Sequence, residues 1–426
     1  MDLDKLKDTS PENAPRVTKF LDRMLLTPAE KIARQEGAMG RRCCTDPQNA
    51  PVSKLAPGVV WEGVFTGWSG YAKANRELLF RTANSVYVEL LHALKPGWDH
   101  PPTELRLSAH ERTKVAPSAP FLRFFGPDAK VLPEKRHRII YTMMETEQVH
   151  FDMVDQINNR YHELWVPSQW NAGTFRRSGV RLPIKVAPLG VDTSIYRRIK
   201  GATLPECTLI SRGAKGVREI PKGFIFISVG LPSFRKGFDL LSTAFEKAFA
   251  GDEEAALVCA TTHGTANVPS LAACKDMKSR IYALEGEYDE HQLARIYSAS
   301  NAYATASRGE GWNLPICEAA ACGLPVICPR NTTHEEVMGK QAWFFDVEKY
   351  EALPNASSVS PWYDGMPMSV FGKKSLSQLV EILRHVRLYS REVAIHAARG
   401  QKRMQTEFTW DRAAALLSNR LLEMQS

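Results

Sequence analysis

Short apolar runs, separated by turn residues and helical stretches, recur along most of the chain. Residues 59–65 form one such run, followed by the glycine-containing loop GWSG and a helical segment at 71–82. Further strand-like runs stand at 86–90, 121–125, 139–142, 163–167 and 184–188, with polar or helical stretches between them. Runs that are apolar throughout predict strands covered on both faces, and their alternation with helices predicts parallel βαβ units. From 191 to 223 the chain turns basic and glycine-containing without clear periodicity, which predicts a junction between domains. A second series starts at Phe224: strand FIFISV, loop GLPSFRKG, helix 238–250, strands AALVCA and RIYALEG, helix 290–300, strand AYATAS, a loop, a helix and strand PVICP. The expected fold class is α/β, with two doubly wound parallel-sheet domains facing a ligand cleft between the carboxyl ends of their strands. The predicted division is an N-terminal extension 1–57, a first domain 58–195, a linker 196–222, a second domain 223–405 and a C-terminal helix 406–426 that can pack on either half.

Composition narrows this picture only modestly. A chain of 426 residues with 44% hydrophobic and 24% charged residues is that of a globular protein with two or three domains, not of a collagen, coiled coil or disordered chain. The formal net charge of +8 tolerates a polyanionic partner without demanding one, so nucleic acid is a possible partner that is not favoured. None of the eight cysteines belongs to a doubled Cys-x-x-Cys pattern, so no zinc site is expected. Several, such as Cys259 and Cys328, lie in apolar runs where a thiol behaves as a small hydrophobe, and this usage predicts a reduced, cytoplasmic setting. The opening MDLDKLKDTSPENAP has no apolar core and does not read as a secretory signal. No apolar run is long enough for a transmembrane segment. An amphipathic piece at 17–35 is the one ordered-looking part of the extension, which is expected to pack on the domain or stay partly mobile.

The segment SRGEGWNLPICEAAACGLPVICP, 307–329, carries the most chemistry. Asn313 is placed to cap a helix whose first turn holds Pro315, and Gly323 with Pro325 ends it. The helix N-terminus then faces a loop and presents free backbone N–H groups, which suits a phosphate. Glu310 lies in the loop and Glu318 in the helix, with seven residues between them. Two carboxylates repel a diphosphate, so they are expected to face sugar hydroxyls instead.

The Glu pair at this spacing, followed by ACGLPVI, resembles the retaining glycosyltransferases of family 4. LWVPSQW, KVAPLGVD, VGLPSFRKGFDLL and LEGEYDEHQLARIYSASNAY precede it in the order that family implies, and the resemblance covers roughly residues 59–424. It implies the GT-B architecture of two Rossmann-like domains and a nucleotide diphosphate sugar, a UDP- or GDP-sugar, as donor substrate, with no permanently bound cofactor. In such enzymes the glutamate at Glu310 contacts the donor sugar and that at Glu318 the ribose. Backbone amides near Trp312, Asn313 and Leu314 hold the distal phosphate and sugar, and relatives usually carry glycine where Asn313 stands. Arg235 and Lys236 are implied to neutralise the diphosphate, and Glu287 and Tyr288 to lie near the base. Gly70, in the first glycine loop, would approach the donor phosphate and the acceptor. Glu145 stands where many relatives carry a sugar-contacting histidine. His150, one turn further on, reads equally as facing the cleft or as an exposed helix residue.

The sole Asp-x-Asp is Asp2 to Asp4, so no metal is expected, and the leaving-group charge falls to Arg235, Lys236 and the helix dipole. The expected reaction is sugar transfer, with retention, to an acceptor hydroxyl on a glycan, a glycoconjugate or a small molecule. A hydroxymethylated base in DNA is a further acceptor, and a GT-B epimerase or phosphorylase the competing enzyme class.

Overall fold

A computed structural model of the protein describes residues 58–67, 69–93, 107, 110–129, 131–214, 216–231, 233–261, 271, 273–352 and 360–425. The predicted extension 1–57, with its amphipathic piece at 17–35, lies outside the described residues.

Six parallel strands form the first sheet: β1 (Gly58–Gly63), β2 (Tyr87–His92), β3 (Phe121–Phe124), β4 (Arg138–Tyr141), β5 (Glu163–Val166) and β6 (Ile184–Val186), in the order β2-β1-β3-β4-β5-β6. Val59, Trp61, Leu122, Ile139, Ile140 and Trp165 are buried, as strands covered on both faces require. Helix α1 (Gly70–Thr82) starts where the Ser69 hydroxyl accepts from the Ala72 N–H. Helices α2 (Phe151–Arg160) and α3 (Gln169–Arg177) follow β4 and β5, and Ser168 caps α3 through the Asn171 N–H.

In the second sheet, β9 (Phe224–Val229), β10 (Ala255–Thr261), β11 (Arg280–Glu285), β12 (Ala302–Ala304), β13 (Val326–Pro329) and β14 (Ala342–Phe345) run parallel in the order β14-β13-β12-β9-β10-β11. Two further strands, β7 (Cys207–Leu209) and β8 (Arg218–Glu219), add antiparallel pairs beyond β11. They lie inside the stretch expected as linker, 196–222. Runs of three and two residues are too short to show a period, and their place is set by pairing with an existing edge.

The helices of this half are α4 (Phe238–Phe249), α5 (Glu290–Ser298), α6 (Leu314–Ala321), α7 (His334–Met338), α8 (Lys373–Arg387) and α9 (Arg391–Thr406). The small side chains of Ala319, Ala320 and Ala321 are fully buried, and α6 packs against α9. An antiparallel hairpin, β15 (Lys349–Ala352) and β16 (Pro367–Val370), stands outside both sheets. Tyr363 and Met368 from this excursion are buried with Met144, Val149 and Ile157 of the first half.

Past α9 the chain crosses back, and α10 (Trp410–Glu423) packs on α1, so the final helix joins the first half. The Val191 N–H donates to the Phe408 carbonyl at 2.9 Å. Arg81 of α1 reaches both Asp192 (2.8 Å) and Asp411 (2.9 Å). Gly190 permits the crossing, because a Cβ there would lie 2.3 Å from the Trp410 nitrogen and 2.4 Å from the Thr409 carbonyl carbon. No helix among the described residues is long and apolar enough to cross a membrane.

Backbone cannot yield as a flexible side chain can, so Gly190→Ala should cost about 1–3 kcal/mol of stability, the range for overpacking. The expected result is a lower denaturation midpoint with faster hydrogen exchange in α10. A midpoint equal to the parent's would show that the crossing has slack.

Candidate active site

The order of the second sheet reverses at β9, with β10 on one side and β12 on the other. Ligands of open α/β sheets bind beyond the carboxyl ends of strands at such a reversal. The segments leaving β9 and β12 therefore emerge side by side, the first as a 3-10 turn, Phe234–Lys236, the second as the loop that holds Glu310. The Arg308 N–H donates to the Arg235 carbonyl at 2.7 Å, and its guanidinium grips Asp239 at 2.7 and 2.9 Å, which locks turn and loop together.

Glu310 is only 5% exposed. Its Oε1 accepts from Lys236 Nζ at 2.7 Å and its Oε2 from Arg235 Nη1 at 3.0 Å. Arg235 also donates to the Gly309 carbonyl at 2.6 Å. Burial opposes a charge on Glu310, yet Lys236 and Arg235 together hold its pKa down to about 2. Burial pushes Lys236 below its ordinary value, with Glu310 only partly countering.

The loop between the two glutamates is fastened by the segment after β13. The Glu310 N–H donates to Thr332 Oγ1 at 3.2 Å, and Thr333 Oγ1 donates to the carbonyls of Glu310 (3.3 Å) and Trp312 (3.4 Å). Asn313 occupies the N-cap position of α6 with φ +70°, but its side chain makes no capping bond. That corrects the expected cap: the Asn313 carboxamide is turned to His334 Nε2, 2.9 Å away. Left-handed backbone is glycine's region, and asparagine is among the few other residues that enter it, so either residue fits here. His334 Nδ1 lies 2.7 Å from Asn331 Oδ1, and Asn331 Nδ2 donates to the Ser307 carbonyl (3.0 Å) and Ser369 Oγ (2.8 Å). His334 is fully buried, and burial, aided by Lys236, lowers its pKa to about 4.

Against this loop lie segments leaving the carboxyl ends of the first sheet. A Cβ on Gly309 would come within 1.7 Å of the Glu145 carbonyl oxygen, and one on Gly311 would strike the Met143 side chain at 2.4 Å. Asn171 Nδ2 donates to the Gly311 carbonyl at 2.9 Å. Glu145 is close enough to Arg235 and Lys236 to feel both, but burial dominates and raises its pKa, and Tyr363 donates its hydroxyl to Oε2 at 2.5 Å. A Cβ on Gly70 would touch Leu314 Cδ1 at 3.8 Å. Glu318 accepts from Lys73 Nζ at 2.7 Å and from the Tyr297 hydroxyl at 3.0 Å. Lys73 in turn meets Glu290 at 2.6 Å and donates to the Tyr196 hydroxyl at 2.8 Å.

Of the residues singled out by sequence, Glu310, Arg235, Lys236 and Glu145 form one buried cluster. Trp312, Asn313 and Leu314 link it to Glu318, with Gly70 across the junction. His150 does not join them: its Nδ1 accepts from the Asp152 N–H at 3.3 Å as the N-cap of α2, and its ring stacks on Phe151. Glu287 is exposed, and Tyr288 donates to the Glu285 carbonyl at 3.1 Å; both precede α5, whose first residue Glu290 reaches Lys73. Sequence reasoning missed Lys73, Asn171, Tyr297, His334 and Tyr363. Lys73 carried a signal, standing three residues after the glycine loop; Tyr363, on an excursion with no periodicity, carried none. Among the described residues no group of three or more His, Cys, Asp or Glu side chains is arranged to hold a metal ion.

Two Rossmann-like parallel sheets whose carboxyl ends face each other give the chain the GT-B architecture. Residues 222–358 match the family of glycosyl transferases group 1. The serotype-specific mannosyltransferase WbdA of Escherichia coli is 33% identical over 143 residues, which is 32% of this chain and 17% of that protein. The chain thus spans less than a fifth of the length of the curated relatives it matches. The sucrose-phosphate synthase of Thermosynechococcus elongatus superposes with a TM-score of 0.60 at 15% identity, covering 87% of this chain and all of the other. Anabaena Alr3699/HepE, solved with UDP-glucose, gives 0.58 at 13% identity, over 86% and 99% of the two chains.

The buried histidine has a consequence for stability. A histidine whose pKa falls from 6.5 to about 4 on folding binds its proton more readily when unfolded. Its contribution is present above about pH 6.5 and is lost as pH falls toward 4. The denaturation midpoint should therefore drop across this window in the parent and drop less steeply in His334→Gln. Equal slopes would mean that His334 is not held neutral in the folded protein.

Proposed function

We propose that the protein is a glycosyltransferase moving a sugar from a UDP- or GDP-sugar to an acceptor hydroxyl of a glycan or glycoconjugate, with retention at the anomeric carbon. The observation that carries this reading is the convergence of Arg235 and Lys236 on Glu310 at the strand-order reversal, within the segment that matches glycosyl transferases group 1. Two buried cations beside a helix N-terminus are a diphosphate site in waiting, since a phosphate can replace the carboxylate as their partner. Glu310, freed of part of that pairing, would turn to the sugar hydroxyls. Glu318 would exchange Lys73 or Tyr297 for the ribose hydroxyls.

As the glycosidic bond breaks, negative charge grows on the leaving diphosphate, and Arg235, Lys236 and the end of α6 would stabilise it without a metal. Front-face attack gives retention, with the leaving phosphate oxygen taking the acceptor's proton. Glu145, buried beside Glu310 and held by Tyr363, would border the acceptor. The mannosyltransferase relatives make a mannosyl nucleotide the first donor to test. A cytoplasmic setting is supported by six described cysteines that are all free and buried.

Lys236→Ala removes one charge-assisted hydrogen bond, worth about 1.5–3 kcal/mol. Affinity for UDP or GDP, measured by calorimetry in EDTA, should fall by about tenfold to a hundredfold. Unchanged affinity would move the diphosphate elsewhere, and turnover that EDTA abolishes and a divalent ion restores would overturn the metal-free reading.

The two glutamates should separate kinetically. Glu318→Gln, acting on a ribose held alike in ground and transition states, should mainly raise the donor KM. Glu310→Gln, beside a ring that gains positive character, should lower kcat and leave affinity for the free nucleotide diphosphate nearly intact. Full turnover in Glu310→Gln, or loss of nucleotide affinity alone in both variants, would contradict these roles.

A further inference from the structure

Asn313 carries a buried acceptor that the protein leaves unused. Its residue is 5% exposed, and its Oδ1 has no hydrogen-bond partner among the described residues. The identity of that atom follows from the hydrogen-bond chain behind it. The Ser307 carbonyl can only accept, so the Asn331 atom facing it is Nδ2, and Asn331 Oδ1 is the acceptor that faces His334. His334 must then carry its proton on Nδ1, and a neutral ring leaves Nε2 as a lone pair. The Asn313 group against Nε2 is therefore the NH2, which fixes Oδ1 as the buried acceptor left without a donor. Ser369 Oγ, also bonded to Asn331 Nδ2, anchors the far end of the chain.

A buried carbonyl without a donor is unfavourable, and its retention needs a reason. Asn313 stands between Glu310 and Glu318 at the start of α6, on the loop pressed against Gly70, Met143 and Glu145 of the other half. A phosphate cannot satisfy it, because phosphate oxygens are acceptors too. The group it can take is a hydrogen-bond donor, and a hydroxyl is the donor that a sugar offers in abundance.

We propose that Asn313 Oδ1 accepts a hydrogen bond from one hydroxyl of the donor sugar and so helps determine which sugar is used. This rests on the transferase reading above. Asn331 and His334 are then positioning residues, which hold the carboxamide in the one orientation that presents an acceptor. A site built to bond a hydroxyl rejects the analogue lacking it, because its buried polar atom is left unpaired.

The test titrates the full chain with GDP-mannose and UDP-glucose, then with the 2-, 3-, 4- and 6-deoxy analogues of whichever binds. The parent should bind one of the four analogues about tenfold to a hundredfold more weakly through this contact. In Asn313→Gly, which suits the left-handed backbone, that preference should shrink to within about threefold while the other three ratios stay as in the parent. The same four ratios in parent and Asn313→Gly, with a nucleotide sugar bound in both, overturn the inference and leave the transferase reading standing. If neither nucleotide sugar binds the parent, both fall together.

Discussion

A carboxylate withdrawn from water costs several kilocalories per mole unless charges of the opposite sign replace the lost solvent. Glu310 is such a group, and both of its compensating cations come from a different βα turn. Arg235 and Lys236 follow β9 whereas Glu310 follows β12, about 75 residues later, so the pairing exists only because β9 and β12 are neighbours in the sheet. The Arg308–Asp239 ion pair and the Arg308-to-Arg235 backbone bond hold the two turns in register. Sheet order, loop conformation and the charge state of Glu310 are thus consequences of one constraint. Removing either cation would leave a buried carboxylate short of partners, and removing the carboxylate would leave two cations facing each other.

The same logic extends across the junction of the two halves. Lys73 of α1 pairs with Glu318 and Glu290 of the second half, Tyr363 of the excursion reaches Glu145 of the first, and Asn171 holds the Gly311 carbonyl. Each contact satisfies a polar group that burial would otherwise strand, and each involves a segment at the carboxyl end of a strand. Glycine at 309 and 311 is what allows the approach, since a side chain at either position would collide with the 143–145 segment. The junction is therefore both the place where the halves are tied and the place where their unsatisfied chemistry collects.

Much of the fold was legible in the chain. The strand at 224–229 coincides with β9, the helix at 71–82 with nearly all of α1, and Gly323 marks the end of α6, because continuous apolar runs and helix stop residues act locally. β7 and β8 were hidden by their brevity. Helix α8 did carry a readable amphipathic pattern in Leu376, Leu379, Val380 and Leu383, which the reading of strands and motifs passed over. In the candidate site, the Glu310 segment and the Arg235–Lys236 pair stood out by spacing and charge, whereas Lys73, His334 and Tyr363 did not. Their meaning depends on partners 245, 21 and 218 residues away, Glu318, Asn313 and Glu145.

By itself the sequence determined what is local: which segments become buried strands, where α6 begins and ends, and which residues bring charge to the loops. The tertiary structure decided everything that depends on who stands opposite. It turned Asn313 from an expected cap into a buried acceptor without a donor, because a buried histidine 21 residues on competes for its amide. It made His150 a helix cap and sent α10 to the first half through a crossing that Gly190 alone leaves room for. Side-chain pattern reports the face a residue buries, but a hydrogen bond or an ion pair needs a second atom at about 3 Å, and only the folded chain supplies it.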